Sequence, residues 1–151
     1  MNDAHLHLLS NHLPIIGCYF STILLAIGII SGNKSLKNGG LIFIALCGIV
    51  AIPAFVSGEG AEDILRSMAK DNRHFIHHHE EHAEKAFWFI EALAVFSLIA
   101  LYASIRKNRN WPVVVTLIGA LFSCYLMAVT ANSGGEIRHT EIRETNGVKE
   151  E

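Results

Sequence analysis

The stretch LPIIGCYFSTILLAIGIIS, Leu13–Ser31, decides the fold class. It carries no charged residue and is about as long as the ~20 residues a helix needs to cross a bilayer core. A helix on the surface of a soluble bundle would show a polar stripe along one side; this one has none. Working outward, three more runs repeat the pattern at Gly40–Ser57, Ala86–Ile105 and Trp111–Ala131. Backbone polar groups in lipid must bond within their own segment, so each run is expected to be a helix. The expectation is an all-α, four-helix transmembrane bundle, up-down-up-down, with residues 1–142 as a single domain and 143–151 as a polar tail.

Composition agrees: of 151 residues, 51% are hydrophobic, and mean hydropathy is +0.35. The net charge of −2 says little, but its distribution does. Lys34 and Lys37 lie between the first two runs, and Arg106, Lys107 and Arg109 between the last two, with no acid beside them. Short basic loops stay cytoplasmic. Both termini are then expected on the periplasmic or extracellular side of a bacterial inner membrane. No Lys or Arg precedes the first run and no small-residue cleavage site follows it, so it reads as a mature span rather than a signal peptide. Nucleic-acid binding has no support, because no basic patch stands beside aromatics.

Local signals fill in the plan. Asn11 is read as the cap of the first helix, with Pro14 in its first turn. Gly32-Asn33 ends that helix, and Asn38-Gly39-Gly40 completes a hairpin. Gly58 and Gly60 are read as ending the second span, followed by a short amphipathic helix, Ala61–Lys70, with Ile64, Leu65 and Met68 on the membrane surface. The third helix is expected to begin near His74, before the bilayer, and Trp111-Pro112 to open the fourth. Each half enters through histidines, crosses, turns through a basic loop and exits through Ser57-Gly58-Glu59 or Ser133-Gly134-Gly135-Glu136. Two such halves would be parallel and related by a pseudo-twofold axis along the membrane normal.

All nine histidines lie outside the four runs. Up-down threading brings His5, His7 and His12 to the same face as Glu59, Glu62 and Asp63, as His77 to Glu84, and as Glu136, His139 and Glu141. Imidazole with carboxylate suits zinc, iron, manganese or copper, and bundles hold such metals between helices. The candidate metal ligands are His7, His12, Glu59, Glu62, His79, Glu80 and His139. No histidine lies within a span, which argues against a mid-membrane haem. A haem b near the outer surface, ligated by His12 and by His79 or His82, is the alternative cofactor, with Arg138 holding an anionic group. His78-His79-Glu80-Glu81-His82 fits the H-x-x-E-H pattern of inverted zinc peptidases, but chance explains it in so rich a tract. A solvated, pH-sensitive polar face explains His5, His74 and His77 without any ligand.

Glu91 is the only charged residue inside a run. Intramembrane carboxylates often mark ion or proton paths; a hydrogen-bonded glutamate facing the bundle is the plainer alternative. Cys18, Cys47 and Cys124 all fall inside runs and read as small apolar packers.

The assembled residues resemble a family of small bacterial four-span membrane proteins of the domain-of-unknown-function type. The resemblance rests on His5-Leu6-His7-Leu8-Leu9 with Asn11-His12 and Pro14, on Pro53 with Ser57-Gly58-Glu59 and Ala61-Glu62, on His79-Glu80-Glu81, and on Thr130-Ala131-Asn132 with Gly134-Gly135, Ile137-Arg138-His139 and Glu141-Ile142. It spans nearly the whole topology. A looser similarity connects the chain with a broader four-span group carrying a late Gly-Gly motif. The resemblance implies that His7, His12, Glu59, Glu62, His79, Glu80 and His139 define the pattern, and that His78 and His82 are additional to it.

The expected function is therefore metal or redox-cofactor binding at the outer face, with electron transfer if the metal is redox-active. Two rivals stand beside it: a small ion- or proton-coupled carrier using Glu91, and a noncatalytic accessory subunit. The expected partners are the lipid bilayer and either another membrane protein or a second copy of the chain.

Overall fold

The computed structural model describes residues 2–68 and 73–143. Its elements are α1 (Asp3–Ser10), α2 (His12–Ile30), α3 (Lys34–Met68), α4 (Arg73–Lys107), α5 (Trp111–Arg138) and a closing 3₁₀ turn, Thr140–Ile142. Four helical stretches are long and apolar enough to cross a membrane: α1 with α2, then α3, α4 and α5. The chain is an all-α bundle with the architecture of a multi-pass membrane protein.

Its surface confirms the solvent. Ile16, Ile23, Val95, Ile118 and Tyr125 are exposed, whereas the interior holds Cys18, Ser21, Thr22, Ala51, Ser97, Thr116 and Ala120. Leu25, Leu41, Ile44 and Ile90 are buried as well, but a soluble bundle would not leave so many other large apolar residues outside. Lipid is as apolar as leucine, so helices here gain by close packing of small residues instead. A Cβ on Gly40 would lie 2.8 Å from the Leu25 Cα, and one on Gly28 would collide with the Lys37 backbone nitrogen. The backbones of α2 and α3 therefore touch. At their junction Gly32 adopts φ +67°, a left-handed conformation open to glycine at no steric cost.

Several boundaries differ from the sequence reading. Asn11 makes no side-chain cap; it sits at a break between α1 and α2. Pro14 has no N–H to give the Ser10 carbonyl, which interrupts the ladder there. Asn2 caps α1 instead, its Oδ1 accepting from His5 N at 3.0 Å. Asn38-Gly39-Gly40 is not a hairpin: α3 already runs from Lys34, and Asn33 Oδ1 accepts from Ser35 N at 2.9 Å and Leu36 N at 3.2 Å. Gly58 and Gly60 do not end the second span, and no separate surface helix follows. The helix continues through them to Met68, and Ile64 and Leu65 are half-buried along it. Gly134 and Gly135 likewise lie inside α5. Helical glycines persist where a neighbour approaches too closely for a side chain. Lys70, at the end of the expected surface helix, and most of the polar tail (144–151) lie outside the described residues.

At ~1.5 Å per residue, the 35 residues of α3 and of α4 each span ~50 Å. A bilayer core is ~30 Å thick, so both project beyond it on the histidine side. At the opposite end, Lys37 is buried and its Nζ donates to Asn110 Oδ1 at 2.9 Å, tying the two basic loops together.

The burial register reveals the repeat. On α2 the buried positions are Pro14, Cys18, Ser21, Thr22, Leu25 and Gly28; on α4 they include Ala86, Ile90, Leu93, Ala94, Ser97 and Ala100. Each member of the second set stands 72 positions after its counterpart. Along α3 and α5 the step is 76: Gly40 and Thr116, Cys47 and Ser123, Gly48 and Cys124, Ala51 and Met127, Ser57 and Ser133, Ala61 and Ile137 are all buried. The extra four residues lie at the C-terminal end of α4, which runs on to Lys107 before a loop of the same length as the first. Identities differ within almost every pair, so the two halves share a packing plan more than a sequence.

Candidate functional site

Two histidines enter the bundle at its projecting end. His7 is carried by α1, which packs so closely on α3 that a Cβ on Gly60 would collide with the Asp3 carboxylate. His7 Nδ1 lies 2.8 Å from the Ala54 carbonyl oxygen. His79, on α4, places Nδ1 3.1 Å from the Thr130 carbonyl and 3.2 Å from Ser133 Oγ. A carbonyl can only accept, so each Nδ1 carries the proton and donates it. In the neutral ring Nε2 then keeps its lone pair. Among the described residues, no hydrogen bond reaches Nε2 of either ring.

The two settings correspond. His79 stands 72 positions after His7, the α2-to-α4 step; Thr130 stands 76 after Ala54, the α3-to-α5 step. Ser57 and Ser133 match as well: Ser57 Oγ donates to the Ala54 carbonyl at 3.2 Å, and Ser133 Oγ to the Thr130 carbonyl at 3.0 Å. Gly58 and Gly134 leave room for the rings. A Cβ on Gly134 would lie 3.0 Å from His79 Cε1 and 3.2 Å from its Nδ1; one on Gly58 would lie 3.7 Å from His7 Cε1. The two imidazoles are thus pseudo-twofold equivalents, one on α1 against α3 and one on α4 against α5.

Electrostatics favour a neutral His79 ring. Burial is the main cause that pushes the His79 pKa below its usual 6.5; the His7 ring, close enough for the two charges to oppose, adds to it. The Thr130 carbonyl works weakly the other way.

The other sequence candidates are spread over the surface. His12, Glu59, Glu80, Arg138 and His139 are exposed. His139 Nδ1 pairs with Glu141 Oε1 at 2.9 Å in solvent. The Glu141 carboxyl is held below its ordinary range, first by a hydrogen bond from its own backbone N–H and then by His139. Glu62 is half-buried with its Oε1 inaccessible to water. It stands one turn beyond Gly58 and two beyond Ala54, hence on the α3 face that meets His7. His77, Glu81 and Lys85 form a solvated stripe, with contacts of 3.5 and 3.8 Å. The described residues contain no group of three or more His, Cys, Asp or Glu side chains placed to hold a metal ion. His79 is coupled to His7 rather than to His12. The structure therefore does not gather the seven residues into one cluster; it brings together two imidazoles.

Four groups escaped the sequence reading. The Ala54 and Thr130 carbonyls have no side-chain signature. Ser133 was visible only as part of a turn motif. Arg143, not Arg138, finishes α5: its guanidinium donates to the Glu136 carbonyl at 2.8 Å and the Ile137 carbonyl at 3.2 Å, and lies 4.0 Å over the Phe75 ring.

Deeper in the bundle, Glu91 Oε1 is buried with no hydrogen-bond partner among the described residues. A Cβ on Gly48 would lie 3.4 Å from its Oε2, so the carboxyl lies against α3.

No family model, characterised relative or solved structure matches this chain.

Proposed function

We propose that the projecting end of the bundle holds a transition-metal ion, or a haem b as its redox-cofactor form, between His7 and His79. One observation carries the reading. Two pseudo-equivalent imidazoles each commit Nδ1–H to a helix carbonyl, which leaves both Nε2 lone pairs as donors. Metal-binding histidines almost always fix their second nitrogen in this way. The low proton affinity of His79 keeps it ready to bind. Glu62, on the α3 face that meets His7, is the proposed third donor to a bare ion, and its side chain must move to join the two rings. Imidazole with carboxylate fits zinc, iron, manganese or copper; two axial imidazoles alone fit haem iron. When bound, a redox-active metal supplies one-electron chemistry, and a zinc ion supplies structure.

The short basic loops at the other end support an outward orientation for this one, towards the periplasm of a bacterial inner membrane. His12, Glu59, Glu80 and His139 then form a polar rim around the entry rather than the ligand set. Metal content and the visible absorption spectrum of detergent-purified protein test the reading, on wild type, His7→Ala, His79→Ala and His12→Ala. The expectation is a stoichiometric metal, or a haem absorption band, lost in the first two variants and kept in the third. Equal retention in all three, or neither metal nor chromophore after expression with both supplied, refutes it.

Glu91 favours a second reading, an ion- or proton-coupled carrier, because its buried Oε1 lacks a partner among the described residues. Flux into proteoliposomes separates the two. A carrier loses flux in Glu91→Gln with its metal content unchanged; a metal protein with no transport role shows no Glu91-dependent flux.

A further inference from the structure

His78 and His82 play no part in the site above, yet their geometry is distinctive. They stand four residues apart on α4 and share one face of the helix. Their Nε2 atoms approach to 3.3 Å, with the rings nearly perpendicular at 83°. Two nitrogens at ~2.05 Å from a metal and 3.3 Å from each other subtend an angle of ~107°, close to that of a tetrahedral ion. The pair is already arranged as two cis ligands.

The surroundings suit a cation. The two rings open onto a shallow groove of ≈ 310 Å³ between α4 and α5, with Tyr125, Ala128 and Val129 as apolar floor and Asn132 and Glu136 as polar wall. Glu136 Oε1 is held by Asn132 Nδ2 at 2.8 Å, and its charge acts on His82. Burial and the neighbouring His78 and Lys85 lower the His82 pKa, while Glu81 and Glu136 raise it against them.

We infer that His78 and His82 form a second, solvent-facing chelate for a borderline divalent cation such as Zn²⁺, Ni²⁺ or Cu²⁺. The Glu136 carboxylate supplies countercharge across the groove, and water fills the remaining positions. Without metal, one ring donates Nε2–H to the other's lone pair. Binding moves that proton to Nδ1 of the same ring, so both Nε2 atoms coordinate and two neutral rings release no net proton. Thiolate is missing and imidazole predominates, which selects these metals over Mg²⁺ or Ca²⁺. The site shares no ligand with the His7–His79 pair and stands or falls without it.

Cu²⁺ titration of the full chain in detergent tests the inference, with electron paramagnetic resonance to count coordinated nitrogens. The comparison covers wild type, His78→Ala, His82→Ala, Glu136→Gln and the neighbour His77→Ala. It is repeated in the His7→Gln/His79→Gln background, with circular dichroism as a folding control. The expected result is a two-nitrogen signal present in wild type, His77→Ala and the double background. His78→Ala and His82→Ala should each lose it, with affinity at least tenfold weaker; Glu136→Gln should weaken binding less and keep both nitrogens. An unchanged signal in either alanine variant, or equal loss in His77→Ala, overturns the chelate and leaves only diffuse binding to a histidine-rich surface. Loss of the signal in the His7→Gln/His79→Gln background with folding intact assigns it to the inner pair and likewise overturns the inference.

Discussion

Gly58 and Gly134 occupy equivalent positions in the two halves, yet alanine should act oppositely at them. At Gly134 the new methyl lies 3.0 Å from His79 Cε1 and 3.2 Å from Nδ1. Carbon contacts settle at ~3.5–4.0 Å, so the ring must retreat by ~0.5 Å. The Nδ1 bond to Thr130, 3.1 Å long, then stretches past the useful range. Losing it costs about 0.5–1.5 kcal/mol, and an off-rotamer ring costs a similar amount. Against this stands ~0.8–1.0 kcal/mol gained by replacing glycine with alanine in a helix. The net expectation for Gly134→Ala is a destabilisation of about 1 kcal/mol. At Gly58 the methyl lies 3.7 Å from His7 Cε1, an ordinary contact, so Gly58→Ala should keep the helix gain and stabilise by nearly 1 kcal/mol. The two variants should differ by about 2 kcal/mol with a change of sign. Reversible SDS unfolding from mild detergent, followed by circular dichroism, measures this difference. Metal affinity should fall by ~10–100-fold in Gly134→Ala alone, as expected when a ligand's supporting bond is lost. Equal shifts of the same sign in both variants would refute the ring placement.

Titration offers an independent check. His79 has a lowered pKa when folded, so the unfolded chain takes up its proton first. The ring's contribution to stability should be complete above the ordinary 6.5 and decline as pH falls below it. Nitrogen NMR of labelled histidine should report an Nδ1–H tautomer at neutral pH; a midpoint above 6.5 or an Nε2–H tautomer would contradict the assignment. Cys18 and Cys124 lie with sulfurs 3.6 Å apart, so a membrane-permeant oxidant such as diamide should form one disulfide between α2 and α5, seen as a two-hydrogen mass loss in a peptide map. Oxidation that never joins Cys18 to Cys124 in a Cys47→Ala background would show the register of α2 against α5 to be wrong. Gly40→Val should weaken the α2–α3 hairpin by at least ~1–3 kcal/mol through overpacking; wild-type resistance to SDS in this variant would exclude the backbone contact.

The sequence by itself determined the number of spans, their helical state and that the histidines collect at one end of the bundle. Those properties follow from additive quantities, run length and charge placement, which neither depend on nor reveal what touches what. Lengths were legible to within a turn where polarity changes abruptly, as at Trp111-Pro112. They failed at Gly58, Gly60 and Gly134, through which the helices continue; at Gly60 and Gly134 the glycine marks a close neighbour rather than a stop. The correspondence of the two halves showed faintly as a shared plan and became a register only through burial, because small residues substitute freely for one another in a membrane core. Among nine histidines of similar local context, only the tertiary structure decided which two turn inward. Their partners are backbone carbonyls of Ala54 and Thr130, distant in sequence, and a carbonyl is the same in every residue. A ligand list can be read from residue types; a pair of donors held by the backbone of another helix cannot.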